Sequence, residues 1–558
     1  MNHVSAIFLA KERRMVARVR AAGAVSPETA RPLEALGIHQ GVILHRLRDR
    51  AVIRHTAQDH YYLDEESWNA VRRQRRRAVS VIVAIAAAIV LAFLFTRKAH
   101  AQPRSSWPEV DSVFAQYDRK DSPGCALGVF EGGRITYERG YGIASLEHDV
   151  PIAPVTVFYV GSVSKQFTAF AAALAIQKGR LSVEDSIRKW LPELPAYADD
   201  ITIRHLLHHT SGLRDYNTLL SIAGRRGDEA YDNATVLRMT ARQKGLNFPP
   251  GTEYLYSNTG YTLLATIVER ATKTPFAAFA DAEIFKPLGM SITHYHTDTT
   301  RLVKWRAMAY DPSPDGFRLD TPSNERAGAG GVYTNVRDLL RWDENFYTGT
   351  VGGRQRIEQV QTPGLLKDGK PLTYAWGLTI GLYRASNIVE HSGSLGGYRA
   401  HTLRFPQHHA SMVALCNLAS ANPGNLLRRV ADVVLKDRFT EPAPAPPPAA
   451  AGGAGGGGRG GNPSSTAPKV DATKLADYAG SYESDEIDST FTITVVQGQV
   501  TLQRDTDAEA AALQPSGDDA FRARGLGIRF ERADGKVVAL LVDAGRVRDI
   551  RFTRAATR

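Results

Sequence analysis

An uninterrupted apolar run from Ala78 to Phe95, with Ser80 its only polar member, constrains this chain more than any other feature. As a helix at 1.5 Å per residue it measures about 27 Å, enough to cross the hydrocarbon layer of a bilayer. Segments on its two sides then cannot share a core. Arg72, Arg73, Arg75, Arg76 and Arg77 precede it, whereas only Arg97 and Lys98 follow directly. The positive-inside bias places the N-terminus in the cytoplasm and everything beyond residue 98 outside. Residues 78–96 therefore read as a single-pass inner-membrane anchor, with the region after it periplasmic. Ala99-His100-Ala101 before Gln102 has the form of a signal-peptidase site, so secretion after cleavage near Ala101 is the alternative. The 77 residues ahead of the run are too many for an ordinary signal peptide, which favours retention.

The chain has 558 residues, too many for one core, and its formal charge is +11. Residues 1–77 carry +7 of that charge, so the rest of the chain is only +4. The basic character thus belongs to a tail and a membrane flank, not to a nucleic-acid surface. Within 1–77, Ser26-Pro27-Glu28 reads as a helix start. Val42, Leu44, Leu47 and Val52 follow with helical spacing, and Tyr61-Tyr62-Leu63 reads as a short strand. This small α+β domain resembles a truncated winged helix. A cytoplasmic interaction or regulatory role is the reading, with nucleic-acid contact the lesser alternative.

Residues 105–440 alternate strands and helices. Cys125 to Ile135 and Tyr137 to Ala144 read as a hairpin turned at Glu131-Gly132-Gly133, and Tyr398 to Phe405 and Ser411 to Asn417 as two further strands. Helical patterns fill the middle, among them Ser164 to Lys178 stopped by Gly179. The fold class is α+β, an antiparallel sheet flanked by helices. Residues 441–468 form a Pro/Ala then Gly linker. In 469–558, alternation such as Phe491, Ile493, Val495 against Thr492, Thr494 marks a C-terminal all-β, barrel-like domain. The two cysteines, Cys125 and Cys416, lie in strand-like apolar segments and read as buried thiols. A disulfide would need those strands to be neighbours in an oxidising compartment.

Three motifs carry chemistry. Ser162-Val163-Ser164-Lys165 at a helix start puts a nucleophile and a base on one face, one turn apart. A lysine shielded from water can lose its proton near neutral pH. Ser186-Ile187-Arg188-Lys189 has the same spacing but reads as a solvated segment running into a turn. Tyr256-Ser257-Asn258 follows Pro250-Gly251-Thr252 and opens a helix, and His391-Ser392-Gly393 lies on a strand.

The stretch around Tyr256 resembles the Tyr-x-Asn loop of the penicillin-recognising serine hydrolases, the superfamily of class C β-lactamases, D,D-peptidases, D-aminopeptidases and related esterases. Leu206 to Leu213 is also similar to a hallmark segment of that family. The resemblance covers residues 105–435 and implies a β-lactamase/transpeptidase-like fold. It implies Ser162 as the acylated nucleophile, Lys165 as its base, Tyr256 as the phenol that relays a proton to the leaving group, and Asn258 as a substrate-binding amide. Ser162 and Ser394 would supply the oxyanion N–H groups. Where the family often has Lys-Thr-Gly, this chain has His391-Ser392-Gly393. A histidine is mostly neutral at pH 7, which moves the expectation from β-lactams towards the D-aminopeptidase-like and esterase-like branches. The C-terminal domain is similar to the lipocalin-like modules of some relatives.

The expected function is an exported, membrane-anchored serine hydrolase acting through an acyl-enzyme on a D-amino-acid peptide or carboxylester. A β-lactamase or D,D-peptidase is the alternative, and a non-catalytic cell-wall-fragment sensor is the alternative of another class. No metal or organic cofactor is implied: His208 and His209 are adjacent and lack ligand spacing. The partners expected are a small-molecule or peptide substrate and the inner membrane.

Overall fold

The structure is a computed structural model that describes residues 3–77, 80, 106–225, 231–323, 326–442 and 474–556. The anchor over 78–96 (Ser80 apart), the Ala99-His100-Ala101 site and nearly all of the 441–468 linker lie outside the described residues. Among the described residues, no helix is long and apolar enough to cross a membrane. The chain forms two compact units, Met1–Gln102 and Pro103–Arg558.

In the first unit, helices His3–Ala21 and Val42–Asp49 precede a hairpin of Ile53–His55 with Tyr61–Leu63 and a helix over 65–77. Val16, Val19, Leu44, Leu47, Leu63 and Trp68 form its core. Buried Glu12 accepts from Arg75 at 2.7 Å and lies 3.4 Å from Arg46, which ties three helices to one carboxylate. The helix expected from Ser26-Pro27-Glu28 is corrected to a single turn, Pro27–Thr29. Pro32 follows too soon: it removes an N–H and biases Arg31 away from helical backbone.

The second unit is built on a six-stranded antiparallel sheet. Its strands are β1 (Cys125–Glu131), β2 (Arg134–Tyr141), β3 (Thr379–Tyr383), β4 (Ser386–Leu395), β5 (Tyr398–Phe405) and β6 (Ala410–Cys416), in the order β3-β4-β5-β6-β1-β2. Gly132 and Gly133, both at positive φ, turn β1 into β2. One face packs on α1 (Ser164–Gln177), α2 (Asn258–Thr272) and α3 (Val336–Thr348), the other on α4 (Pro423–Val434). Helix α1 is buried from Ser164 to Ala175. Its run of alanines, Ala169 and Ala171 to Ala173, lets neighbours pack close on all sides, which explains why it shows little amphipathic pattern.

Cys125 stands directly opposite Cys416 across β1 and β6, and the two are joined as a disulfide. The expectation of two buried thiols is thereby corrected. The first and last strands of this sheet in chain order pair inside it, one strand from an edge, a pairing that neither cysteine's own segment reveals.

The C-terminal domain curls nine described strands, from Gly480–Ser484 to Val547–Arg554, into a nearly closed barrel. The outermost strands, Ala511–Ala512 and Gln514–Gly517, are consecutive in sequence, so the sheet almost returns on itself. Its core of Tyr482, Phe491, Leu502, Phe530 and Phe552 is continuous with Tyr216, Leu219, Leu220, Val236 and Met239 of the α+β domain. The barrel is therefore docked through a shared apolar core.

The disulfide closes a loop of 291 residues. Cys125→Ala/Cys416→Ala should lose about 2–4 kcal/mol in urea unfolding relative to the oxidised protein. Thiol titration of the unreduced, denatured chain should find no free thiol; recovery of both would contradict the pairing.

Candidate active site

Gly161, at positive φ, turns the chain into a short helical turn (Gly161–Val163) that runs straight into α1. The nucleophile candidate Ser162 therefore stands just ahead of α1, where unpaired N–H groups and the helix dipole favour negative charge. Strand β4 lies directly against this turn. A Cβ added at Gly393 would sit 2.0 Å from the Val160 carbonyl oxygen and 2.9 Å from Ser162 N; one added at Gly161 would sit 2.5 Å from Ser394 N. The glycines at both positions permit this approach, which brings Ser162 and Ser394 together on the cavity lining. Strand β3 begins at Thr379, opposite Glu390, so His391 to Leu395 extend past it. That stretch offers an open strand edge to an extended substrate.

Lys165 is fully buried one turn along from Ser162. Its Nζ lies 3.1 Å from Ser162 Oγ and 2.8 Å from both Asn258 Oδ1 and the Ala329 carbonyl oxygen. Burial pushes its ammonium well below the ordinary lysine value; the Asp215 carboxylate opposes this and the Arg546 guanidinium reinforces it. A neutral amine has two N–H donors and one lone pair. Asn258 and Ala329 offer only acceptors and take the two donors, so the lone pair faces the Ser162 hydroxyl. The loop bearing Ala329 is fixed from α1 and its surroundings: Ser164 Oγ accepts from Val332 N, Thr168 Oγ1 donates to the Gly328 carbonyl, and Tyr159 Oη accepts from Gly331 N.

Tyr256 stands on the opposite side, its ring centroid 4.8 Å from Lys165 Nζ. Burial raises its phenol above the ordinary value, with Ser162 and Arg546 pulling in the other direction. At neutral pH it is a proton donor. Asn258 opens α2 behind its N-cap Ser257. Since Asn258 Oδ1 holds Lys165, its amide nitrogen is the group it can offer a substrate.

His391 is buried, and its two nitrogens are engaged. Nδ1 lies 2.6 Å from the Ser392 carbonyl, which only accepts, so Nδ1 carries the proton; Nε2 then accepts from Tyr374 Oη at 3.0 Å. Burial, with Lys165 nearby, pushes its pKa down to about 3. What His391 presents to the cavity is a neutral ring that fixes Tyr374. His209 Nδ1 accepts from Ser257 N and His208 Nδ1 donates to the Tyr374 carbonyl, so both support loops around the cavity.

The cavity, about 500 Å³, brings together Ser162, Tyr256, Asn258, His391, Gly393 and Ser394, with Lys165 beneath its floor. Tyr159, Tyr216, Tyr254 and Tyr374 add aromatic walls, and Arg326 and Arg546 add positive charge. Sequence reasoning missed Asp215, Tyr374, Arg326 and Arg546. The decoy lysine, Lys189, pairs with Asp185 at the surface.

This fold and cavity are of the β-lactamase type. The Beta-lactamase family model matches residues 110–435, more than half of the chain, which belongs to that family. Penicillin-binding protein 4* of Bacillus subtilis (strain 168) is 32% identical over 305 residues, covering 51% of this chain and 66% of that protein. A D-aminopeptidase of Gluconobacter oxydans (strain 621H) is 28% identical over 312 residues, 56% of this chain and 58% of that one. The chain thus matches less than two thirds of the length of either relative. Among solved structures, the octameric penicillin-binding protein homologue from Pyrococcus abyssi has a TM-score of 0.53 at 20% identity, covering 80% of this chain and 99% of that one. D-amino acid amidase from Ochrobactrum anthropi SV3 has a TM-score of 0.52 at 22% identity, covering 59% and 99%. Both share the fold.

Gly393→Ala should force β4 away from the Ser162 turn and slow covalent labelling by about 10²-fold or more. Far-ultraviolet circular dichroism should stay unchanged; labelling at the wild-type rate would contradict the close approach.

Proposed function

We propose that this chain is an exported, membrane-anchored serine hydrolase that works through an acyl-enzyme on D-amino-acid peptides or carboxylesters. The supporting observation is the position of Lys165 Nζ, fully buried and 3.1 Å from Ser162 Oγ. Neutral Lys165 accepts the Ser162 hydroxyl proton as Oγ bonds to the substrate carbonyl carbon, and the carbonyl π pair moves onto oxygen. The N–H groups of Ser162 and Ser394 stabilise that oxyanion, a contribution of about 3 kcal/mol per donor. As the oxyanion collapses, the bond to the leaving nitrogen or oxygen breaks and Tyr256 donates its proton there. The Lys165 ammonium returns a proton to Tyr256. Water then attacks the acyl-enzyme, giving up its proton to the same base. Product acid leaves as Ser162 Oγ is reprotonated.

Export is supported by the Cys125–Cys416 disulfide, which persists in oxidising compartments. The arginine-flanked run over 78–96 supports an inner-membrane anchor with a cytoplasmic N-terminus, cleavage near Ala101 being the alternative. The D-aminopeptidase relative supports D-configured substrates. A second reading, β-lactamase or D,D-peptidase, draws support from Arg326 and Arg546, which supply the fixed positive charge that His391 does not.

The test is labelling of the purified protein with a fluorophosphonate and a fluorescent penicillin beside Ser162→Ala, followed by turnover of nitrocefin, p-nitrophenyl acetate and D-Ala-p-nitroanilide. Wild type should label and hydrolyse the ester and the anilide, and Ser162→Ala should do neither. Absence of labelling and turnover would overturn the enzyme assignment in favour of a binding-only sensor. Turnover surviving in Ser162→Ala would overturn the site.

A further inference from the structure

Among the described residues lining the cavity, Arg546 alone comes from the barrel. It sits in the turn between the strands Lys536–Ala544 and Val547–Arg554. Its guanidinium lies 4.7 Å from the Tyr256 ring centroid and 3.9 Å from Asp215 Oδ2. Its own carbonyl accepts from Asn247 Nδ2 at 3.0 Å and Asp215 N at 3.5 Å, so the turn is pinned from both sides.

Asp215 is fully buried. Its Oδ2 accepts from Asn258 N at 2.6 Å, and its Oδ1 caps the helix Tyr216–Ile222 through Thr218 N at 3.2 Å. The residue before it, Arg214, is committed to the barrel. It pairs with buried Glu486 at 2.7 Å and donates to the carbonyls of Arg548 and Asp549 at 3.1 and 3.0 Å. The carbonyl of Arg214 accepts from Thr259 Oγ1 at 2.7 Å. Two consecutive residues thus join the barrel to the first turn of α2, whose Asn258 holds Lys165 at 2.8 Å.

We propose that Arg546 is a positioning residue for the hydrolase reaction: paired with Asp215, it makes the barrel turn the outer end of a chain of contacts, Arg546–Asp215–Asn258–Lys165, that fixes the place and the electrostatic surroundings of the base. The proposal rests on the assignment of Lys165 as that base. The titratable groups around Lys165 are Asp215, Arg546, His209, His391, Tyr256 and Tyr261. Burial holds both histidines unprotonated and both phenols un-ionised at neutral pH, which leaves Asp215 and Arg546 as the charged groups that act on Lys165. They act on Lys165 in opposite senses. Loss of Arg546 leaves Asp215 unopposed, and Lys165 holds its proton to higher pH. Loss of the Asp215 charge has the reverse effect.

The test follows the rate of reaction of full-length protein with an uncharged fluorophosphonate across pH. Reaction requires deprotonated Lys165, so the rate rises with pH through its pKa. Arg546→Gln should move this acid limb upward by about one pH unit. Asp215→Asn should move it downward, and Arg546→Lys should restore the wild-type profile. The Arg546 side chain is 42% exposed, so its variants should fold and decide the matter even where Asp215→Asn does not. An unmoved limb in Arg546→Gln, with only a raised KM for a carboxylate-bearing peptide, would overturn the relay and make Arg546 a substrate contact alone. A wild-type chain that does not label at all would instead overturn the hydrolase assignment.

Discussion

A lysine side chain with no exposure to water, surrounded by two acceptors and one hydroxyl, organises the rest of this molecule. An isolated ammonium in such a place is costly, and the ordinary response is to give up the proton. Burial favours that outcome, with the Arg546 guanidinium acting in the same direction and the Asp215 carboxylate against it. Helix α1 is buried along nearly its whole length, so Lys165 cannot reach solvent. The loop carrying the Ala329 carbonyl is bonded to Ser164, Thr168 and Tyr159, so it cannot drift away. Asn258 is fixed by its backbone N–H to Asp215. The serine hydroxyl is the one remaining partner for the lone pair.

The same economy governs the walls. Strand β4 approaches the Ser162 turn because neither chain has a side chain at Gly161 or Gly393. It offers an open edge because β3 starts level with Glu390. The barrel is bound through apolar packing shared with Tyr216 and Leu219 and through the buried Arg214–Glu486 pair, so its turn at Arg546 has a fixed position beside Tyr256. What reads in sequence as an appended module is structurally part of the cavity.

Much of this was legible in sequence where chemistry and spacing are local. Ser162 and Lys165 share a helix face, Tyr256 and Asn258 flank a helix start, and the hairpin, α1 and the barrel strands follow from turn residues and alternation. Contacts between distant segments were not legible. Asp215 looks like an ordinary cap before Tyr216, and nothing local shows that its second oxygen holds Asn258. Arg546 lies in a β-turn far along the chain, with no motif to mark it. The disulfide depended on knowing that β1 and β6 are neighbours. His391 reads in sequence as a mostly neutral side chain, but its engagement with Tyr374 depends on a tyrosine outside any motif.

The central claim is that Lys165 is a neutral amine in the folded protein at neutral pH. Nitrogen-15 NMR of lysine-labelled protein, with Lys165→Arg to assign the signal, reads this directly. The Lys165 Nζ resonance should have the shift of a neutral amine at pH 7 and should titrate well below the ordinary lysine range. A resonance that stays that of an ammonium until about pH 10 would contradict it.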